Sequence, residues 1–230
     1  MVGRVTALLY DIHGNLPALE AVLEDVEREG EDRFLLGGDY ALFGAWPRET
    51  VVLLRELDAV WLRGNGERWT AGPQDAPEAV RAAAERCREM LGDDLARDLA
   101  ALPESYTAGD TMFCHGSPVS DVRSFLPEPA DDEEELLEGI LASRLVFGHT
   151  HLPFLRRSRG GIELVNPGSV GMPFDGDPRA AWALVHEDGT VEHRRVPYDR
   201  AASAAAVRRA LGEAGEVPAR RIERATADVE

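Results

Sequence analysis

The sequence predicts an α/β protein, and three observations carry that prediction. Short apolar runs alternate with segments of helical periodicity through the first third of the chain. Each early strand ends in a polar cluster at its C-terminal edge, which is where open α/β sheets place their sites. From about residue 154 onward the pattern turns β-rich, and Asp188-Gly189 marks a hairpin.

Taken in order, Arg4 to Tyr10 reads as a short buried strand from its length and its β-branched and apolar content. Leu16 to Arg28 carries Leu16, Leu19, Val22, Leu23 and Val26 at helical spacing. Arg33 to Leu36 is a second buried strand, ending at Gly37-Gly38-Asp39. Pro47 to Leu57 reads as a helix, and Ala59 to Leu62 as a third strand ending at Gly64-Asn65-Gly66-Glu67. Three strand–helix units in a row argue for parallel pairing. Residues 71–103 are helical in character, broken at Gly72-Pro73, Pro77, Gly92 and Pro103, and read either as an insert beside the site or as a packing layer.

Met112 to Cys114 and Leu145 to Phe147 are further strands. Between them the acidic run Asp131 to Glu135 opens a helix reaching about Ala142, with the helix dipole favouring acid at that end. Strands are expected at 154–158, 162–166, 180–186 and 190–196, then a helix over about 199–213 and a charged tail. No repeat and no linker divides the chain, so a single domain over 1–230 is expected.

Net charge is −17, from 25 basic and 42 acidic residues, which opposes sequence-independent nucleic-acid binding. Every basic residue is arginine, and the absence of lysine excludes a Walker phosphate loop, a Schiff-base lysine and a kinase-type ATP lysine. Cys87 and Cys114 form no Cys-x-x-Cys pair. A thiol-phosphatase loop needs arginine six positions after the cysteine, where Cys114 has Ser120. No apolar run approaches the ~20 residues of a membrane span and no signal-peptide pattern opens the chain. A cytoplasmic protein without membrane contact is expected, and its oligomeric state stays open.

The polar residues at the strand ends are of one kind. They are Asp11 and His13, Asp39, Asn65, His115, and His149 with His151, and they include four of the six histidines. Asp11 and His13, two apart on an extended segment, point to one side, and such a pair suits a divalent transition metal. The same stretch also reads as a helix start, with Asn15 as the cap and Pro17 in the first turn. His186 and His193 flank the hairpin and read as surface or packing residues. Asn166 to Ser169 reads chiefly as a tight turn. Arg123, Arg156 and Arg157 are candidates for a second substrate phosphate, with nothing in the sequence to select them.

The order Asp-x-His, Gly-Asp, Gly-Asn, His-Gly and Gly-His-x-His resembles the calcineurin-like metallophosphoesterase superfamily. The steps of 28 residues from Asp11 to Asp39 and 26 from Asp39 to Asn65 fit it too. Asn166-Pro167-Gly168-Ser169-Val170 also resembles the small bacterial and archaeal phosphodiesterase branch. The resemblance implies a four-layer αββα sandwich around a two-metal centre. Carried over by position, Asp11, His13, Asp39 and His151 hold one metal. Asp39, Asn65, His115 and His149 hold the other, with Asp39 bridging. Manganese is the first expectation, and this donor set also suits iron, zinc or nickel.

The implied reaction is in-line hydrolysis of a small phosphate ester by a metal-bound hydroxide, with Asp39, Asn65 and His115 as the residues nearest the chemistry. Two divalent ions against two ligand aspartates and a hydroxide leave a local positive centre on an acidic chain. One departure stands out. Much of the family has a leaving-group-protonating His after Gly-Asn, where this chain has Gly66. The branch resembled here commonly lacks it too. Two other readings remain, a non-catalytic scaffold and a metal- or nucleotide-sensing module on the same fold.

Overall fold

The computed structural model describes residues 6–229, so Arg4 and Val5 of the first expected strand lie outside the described residues. Two five-stranded mixed sheets build the molecule. The first has the order β10-β9-β1-β2-β3. Here β1 (Ala7–Leu9), β2 (Arg33–Leu36) and β3 (Asp58–Trp61) run parallel, and β9 (Ala180–Val185) and β10 (Val191–Val196) add an antiparallel hairpin beside β1. The second has the order β4-β5-β6-β8-β7. Its centre of β5 (Thr111–Cys114), β6 (Arg144–Val146) and β8 (Glu163–Asn166) is parallel, flanked by antiparallel β4 (Ser105–Ala108) and β7 (Phe154–Arg157).

The strand side chains decide how the sheets stack. Alternate residues leave opposite faces of a strand. Leu8, Tyr10, Leu35 and Ala183 of the first sheet meet Phe113, Val146 and Val165 of the second in one buried cluster between the sheets. The other face of the first sheet, with Ala7, Leu9, Phe34 and Leu36, packs on helices. These are α1 (Leu16–Glu29), α2 (Pro47–Leu54), α4 (Glu78–Leu91) and α5 (Asp93–Ala100), with α3 (Asn65–Ala71) leading into the last two. Ala83, Ala84, Cys87 and Leu91 of α4 and Leu95, Ala96 and Leu99 of α5 belong to that same core, so residues 78–100 act as a packing layer.

The outer face of the second sheet is covered differently. Cys114, Leu145 and Leu164 pack under Phe125, Phe147 and Leu136, and the only helix there among the described residues is α6 (Glu133–Leu136). The helix expected to reach Ala142 therefore stops early. Gly139 turns the chain at φ +77° soon after it. Its acidic start is partly buried. Glu133 is buried and accepts a two-pronged hydrogen bond from Arg156.

Two further segments depart from expectation. The stretch Ser105–Ala108, to which the sequence pattern assigns no element, forms β4 by pairing with β5 across a turn at Gly109. The charged tail is helical: after α7 (Arg200–Leu211), a short 3₁₀ turn leads into α8 (Glu216–Arg224). Ala219 and Ile222 of α8 bury against Val207 and Leu211 of α7 and against Met172. No described helix is long and apolar enough to cross a membrane.

Candidate metal centre

The parallel strands of both sheets end on one side of the molecule, and their following loops interlock. Asp11 N–H donates to the Gly38 carbonyl (3.1 Å), His13 N–H to that of Asp39 (2.8 Å) and Gly14 N–H to that of Tyr40 (2.7 Å). Gly148 N–H donates to the His115 carbonyl (2.7 Å), joining the corresponding loops of the second sheet. Across the sheets, Val170 and Gly171 donate to the carbonyls of Tyr10 and Asp11 (both 3.0 Å).

That interlocking bends the backbone. Asp11, His13, Asp39, His149 and His151 all adopt positive φ, between 51° and 68°. Among the described residues only Phe43 and Ala225 share this with them outside glycine. The left-handed conformation costs an L-residue about 1–2 kcal/mol, somewhat less for Asp and His. Strain of this kind gathers at functional sites.

The side chains converge. His13 Nε2 lies 3.1 Å from His151 Nε2, and His151 Nε2 lies 3.4 Å from Asp11 Oδ1. His115 Nε2 lies 3.5 Å from Asp39 Oδ1 and 3.9 Å from Asp11 Oδ1. Asp39 turns its other oxygen to His13, 3.8 Å away. Donor atoms of Asp11, His13 and His151 form one group within 4.8 Å, and those of Asp11, Asp39 and His115 form a second. Asp11 is common to both groups, while Asp39 faces both with separate oxygens.

Asn65 and His149 complete the cluster. One atom of the Asn65 amide stands 2.9 Å from His115 Nε2, 2.8 Å from His149 Nδ1 and 3.0 Å from the Asp121 carbonyl oxygen. As nitrogen its two hydrogens can reach two of these three acceptors; as oxygen it meets the imidazole nitrogens only through a proton or a cation between them. All seven residues singled out from the sequence thus meet at one place.

Whether these donors fit a cation is decided by their protons. The Nδ1 atoms of His13, His115 and His151 face the carbonyls of Leu42 (2.9 Å), Gly37 (2.8 Å) and Met172 (2.6 Å). A carbonyl only accepts, so each Nδ1 carries the hydrogen and each neutral ring turns an Nε2 lone pair inward. Burial, then the nearby His151, pushes the His13 pKa down to about 4, so that ring is neutral at pH 7. Burial and His115 lower His149 to about 4 as well. Burial opposes charge on His115, but Asp39 and Asp11 outweigh it and raise its pKa. Asp11 is wholly buried; burial pushes its pKa up, yet the facing His151, His115 and His13 outweigh that and hold it well below the carboxylate range.

One of its oxygens, Oδ2, accepts from His149 N–H (3.0 Å), and the other has no hydrogen-bond partner. A buried carboxylate oxygen without a donor, beside inward-facing imidazole lone pairs, fits a metal ion.

The sequence of the calcineurin-like phosphoesterase superfamily domain matches residues 6–190 of this chain. The chain belongs to that superfamily. The match to a phosphoesterase domain, together with a phosphodiesterase relative, makes this chain a phosphoric ester hydrolase. This phosphoesterase is 30% identical over 196 residues to the Escherichia coli phosphodiesterase YfcE, covering 77% of this chain and 85% of that one. It is 29% identical over 223 residues to an uncharacterised protein of Methanocaldococcus jannaschii, covering 86% and 90% of the two chains. A metallophosphoesterase structure from Sphaerobacter thermophilus superposes with a TM-score of 0.82 at 28% identity, over 97% of this chain and 100% of the other. These likenesses agree with the two flanked sheets described above.

Several residues that support the cluster carry no obvious sequence signal of that role. Glu67 is buried and accepts from the N–H groups of Asp39, Tyr40 and Gly64 (each 2.8 Å), tying the second and third loops together. Burial and the Asp39 charge push its pKa up to about 7. Its place in Gly64-Asn65-Gly66-Glu67 was the one available hint.

The turn at Asn166 does more than turn. Its amide donates to the Gly148 carbonyl (3.2 Å) and Thr150 Oγ1 (2.9 Å), and Ser169 Oγ donates to the Asp11 carbonyl (2.6 Å). Asn15, expected as a helix cap, makes no capping bond; it donates to the Gly171 carbonyl (2.8 Å) and accepts from Ser203 (3.0 Å). His193 packs as expected, with Nε2 2.8 Å from the Asn166 carbonyl oxygen, and His186 pairs with Glu192 at the hairpin. Phe43 and Phe174 stand against His13 and His151, with ring centroids 5.6 Å and 4.3 Å apart. No periodicity marks either.

Proposed function

We propose that this phosphoesterase is a dinuclear-metal phosphodiesterase acting on small phosphate esters with good leaving groups. The observation that carries the reading is the buried, unpartnered Asp11 Oδ1 among three Nε2 atoms whose tautomers are fixed by backbone carbonyls. Asp11, His13, Asp39 and His151 would hold one ion, and Asp39, Asn65, His115 and His149 the other. Asp11 Oδ1 lies between the two sets. Manganese, iron, zinc and nickel all suit these donors.

A bound divalent pair supplies Lewis-acid polarisation of the phosphoryl oxygens and lowers the pKa of a water. The protein's own residues do the rest. Asp39 is held from two sides: Gly66 N–H donates to its Oδ1 (2.7 Å), and Glu67 accepts its backbone N–H. Asn65 and His115 sit at the same edge and can orient a phosphoryl oxygen, and His149 beside them is half-buried. The phosphodiesterase among the relatives supports a diester substrate.

No side chain at position 66 can protonate the leaving group. A Cβ there would stand 2.8 Å from Asp39 Oδ1, so glycine also serves the close approach of backbone to carboxylate.

The test is hydrolysis of bis-p-nitrophenyl phosphate with Mn²⁺ or Ni²⁺. Metal-stimulated turnover is expected in the parent, and a loss of 10³-fold or more, of the order of ~4 kcal/mol of barrier, in Asp39→Ala. A parent without such turnover, or an Asp39→Ala that keeps it, overturns the reading.

A further inference from the structure

A phosphate ester approaching an acidic protein needs fixed positive charge, and most arginines near the cluster are already committed. Arg68 makes two 2.7 Å hydrogen bonds to Asp121, and Arg63 pairs with Glu104. Arg123 binds Asp132 and Glu135, Arg156 binds Glu133, and Arg157 lies 3.9 Å from Glu163. These last three were the sequence candidates for a second substrate phosphate, and each already has a carboxylate partner.

Arg221 differs. It lies on α8, is half-buried, and has no carboxylate within ion-pair distance among the described residues, the charge of Asp228 acting on it from farther off. Its Nε donates to the Ala227 carbonyl (3.2 Å), which leaves the outer fork of the guanidinium free of described hydrogen bonds. Its guanidinium carbon lies over the Phe174 ring, 5.5 Å from the centroid. The same ring stacks on the His151 imidazole, 4.3 Å away and inclined by 20°. Phe174 N–H also donates to the His151 carbonyl (3.3 Å), so ring and imidazole are fixed to each other through the backbone. The cation is therefore separated from a proposed metal ligand by one aromatic ring.

We propose that Arg221 anchors a second phosphoryl group of the substrate, beyond the ester that is cleaved. This rests on the phosphoesterase site argued above. The planar guanidinium matches two phosphate oxygens at once. Its stacking on Phe174 restricts the side chain before the ligand arrives, and its half-burial weakens competition from water. The preferred substrate class is thus a diester carrying a further phosphate, such as a phosphorylated nucleotide ester.

Calorimetry with Mn²⁺ present, comparing thymidine 5′-monophosphate with thymidine 3′,5′-bisphosphate, tests this without turnover. The parent is expected to bind the bisphosphate about ten-fold or more tightly than the monophosphate, the usual gain from charge-assisted hydrogen bonds. Arg221→Gln brings the two affinities to near parity, and Arg221→Lys restores part of the preference. Damage to the fold lowers both affinities together and leaves their ratio intact. Equal affinities in the parent, or a preference that survives Arg221→Gln, overturns the assignment. The bis-p-nitrophenyl phosphate assay separates the two claims: turnover without a bisphosphate preference sinks only the role of Arg221.

Discussion

At the scale of residues, the centre is an agreement between proton positions and backbone shape. Three carbonyls choose the tautomer of three histidines, and five of the proposed ligand residues accept a left-handed backbone to bring their side chains together. Two predictions belong here. The first concerns Gly66, which offers no acid to the departing alcohol. Loss of a general acid typically removes ~10²–10⁴ of rate, and more when the leaving group is basic. Rates across a series of diesters should therefore fall steeply as leaving-group pKa rises, aryl esters being cleaved far faster than alkyl ones. A flat dependence would count against the assignment.

The second prediction concerns pH. His13 and His149, lowered to about 4 from the ordinary imidazole value of 6.5, refuse protons in the folded state that the unfolded chain accepts. The metal-free protein should therefore lose stability as pH falls from 6.5 towards 4. His115, raised, acts in the opposite sense, its contribution being full below 6.5 and lost as pH rises through its folded value. Thermal unfolding in chelator, pH by pH, checks this. The fall across the window should shrink in His149→Asn, and an unchanged fall would refute it.

At the scale of elements, the sequence was most readable where one periodicity ran undisturbed and least readable where a partner was needed. β1, β2, β3, β5 and β6 are short apolar runs ending at Gly, Asp or His, and their places follow from pattern alone. β4 is a largely exposed stretch, Ser105 to Ala108, that becomes a strand only because β5 lies beside it. α8 is so rich in charge that its buried Pro218, Ala219 and Ile222 do not stand out until Met172 and Val207 supply the opposing surface. The acidic run at 131–135 misled for the converse reason. Its glutamates suit a helix start, yet the segment is organised by an ion pair with distant Arg156, which no local rule reveals.

That pair gives a prediction at this scale. Glu133 is 4% exposed, so Arg156→Leu leaves a buried carboxylate without a partner. The cost should be about 3–5 kcal/mol in urea unfolding, and Arg156→Leu combined with Glu133→Leu should recover most of it. A single variant as stable as the parent would show that the pair is not holding this layer.

At the scale of the whole molecule, the two sheets pack face to face with their parallel strands ending together, and each contributes proposed ligands. Asp11, His13, Asp39 and Asn65 follow strands of the first sheet; His115, His149 and His151 follow strands of the second. The identities of these residues were legible because the motif order runs along the chain. What joins them was not: Glu67, Asn166, Ser169 and the strained backbone are products of tertiary packing. An ion held between the sheets binds the folded state alone, so it should stabilise the entire fold.

The most direct test is therefore a calorimetric titration of chelator-treated protein with Mn²⁺, followed by thermal unfolding of each sample. Two ions per chain are expected, with a Tm that rises by several degrees, as for about 2–3 kcal/mol at ligand far above Kd. Asp39→Ala is expected to lose at least one ion. Binding of no ion, or the same two ions in Asp39→Ala with an unchanged rise in Tm, would contradict the centre described here.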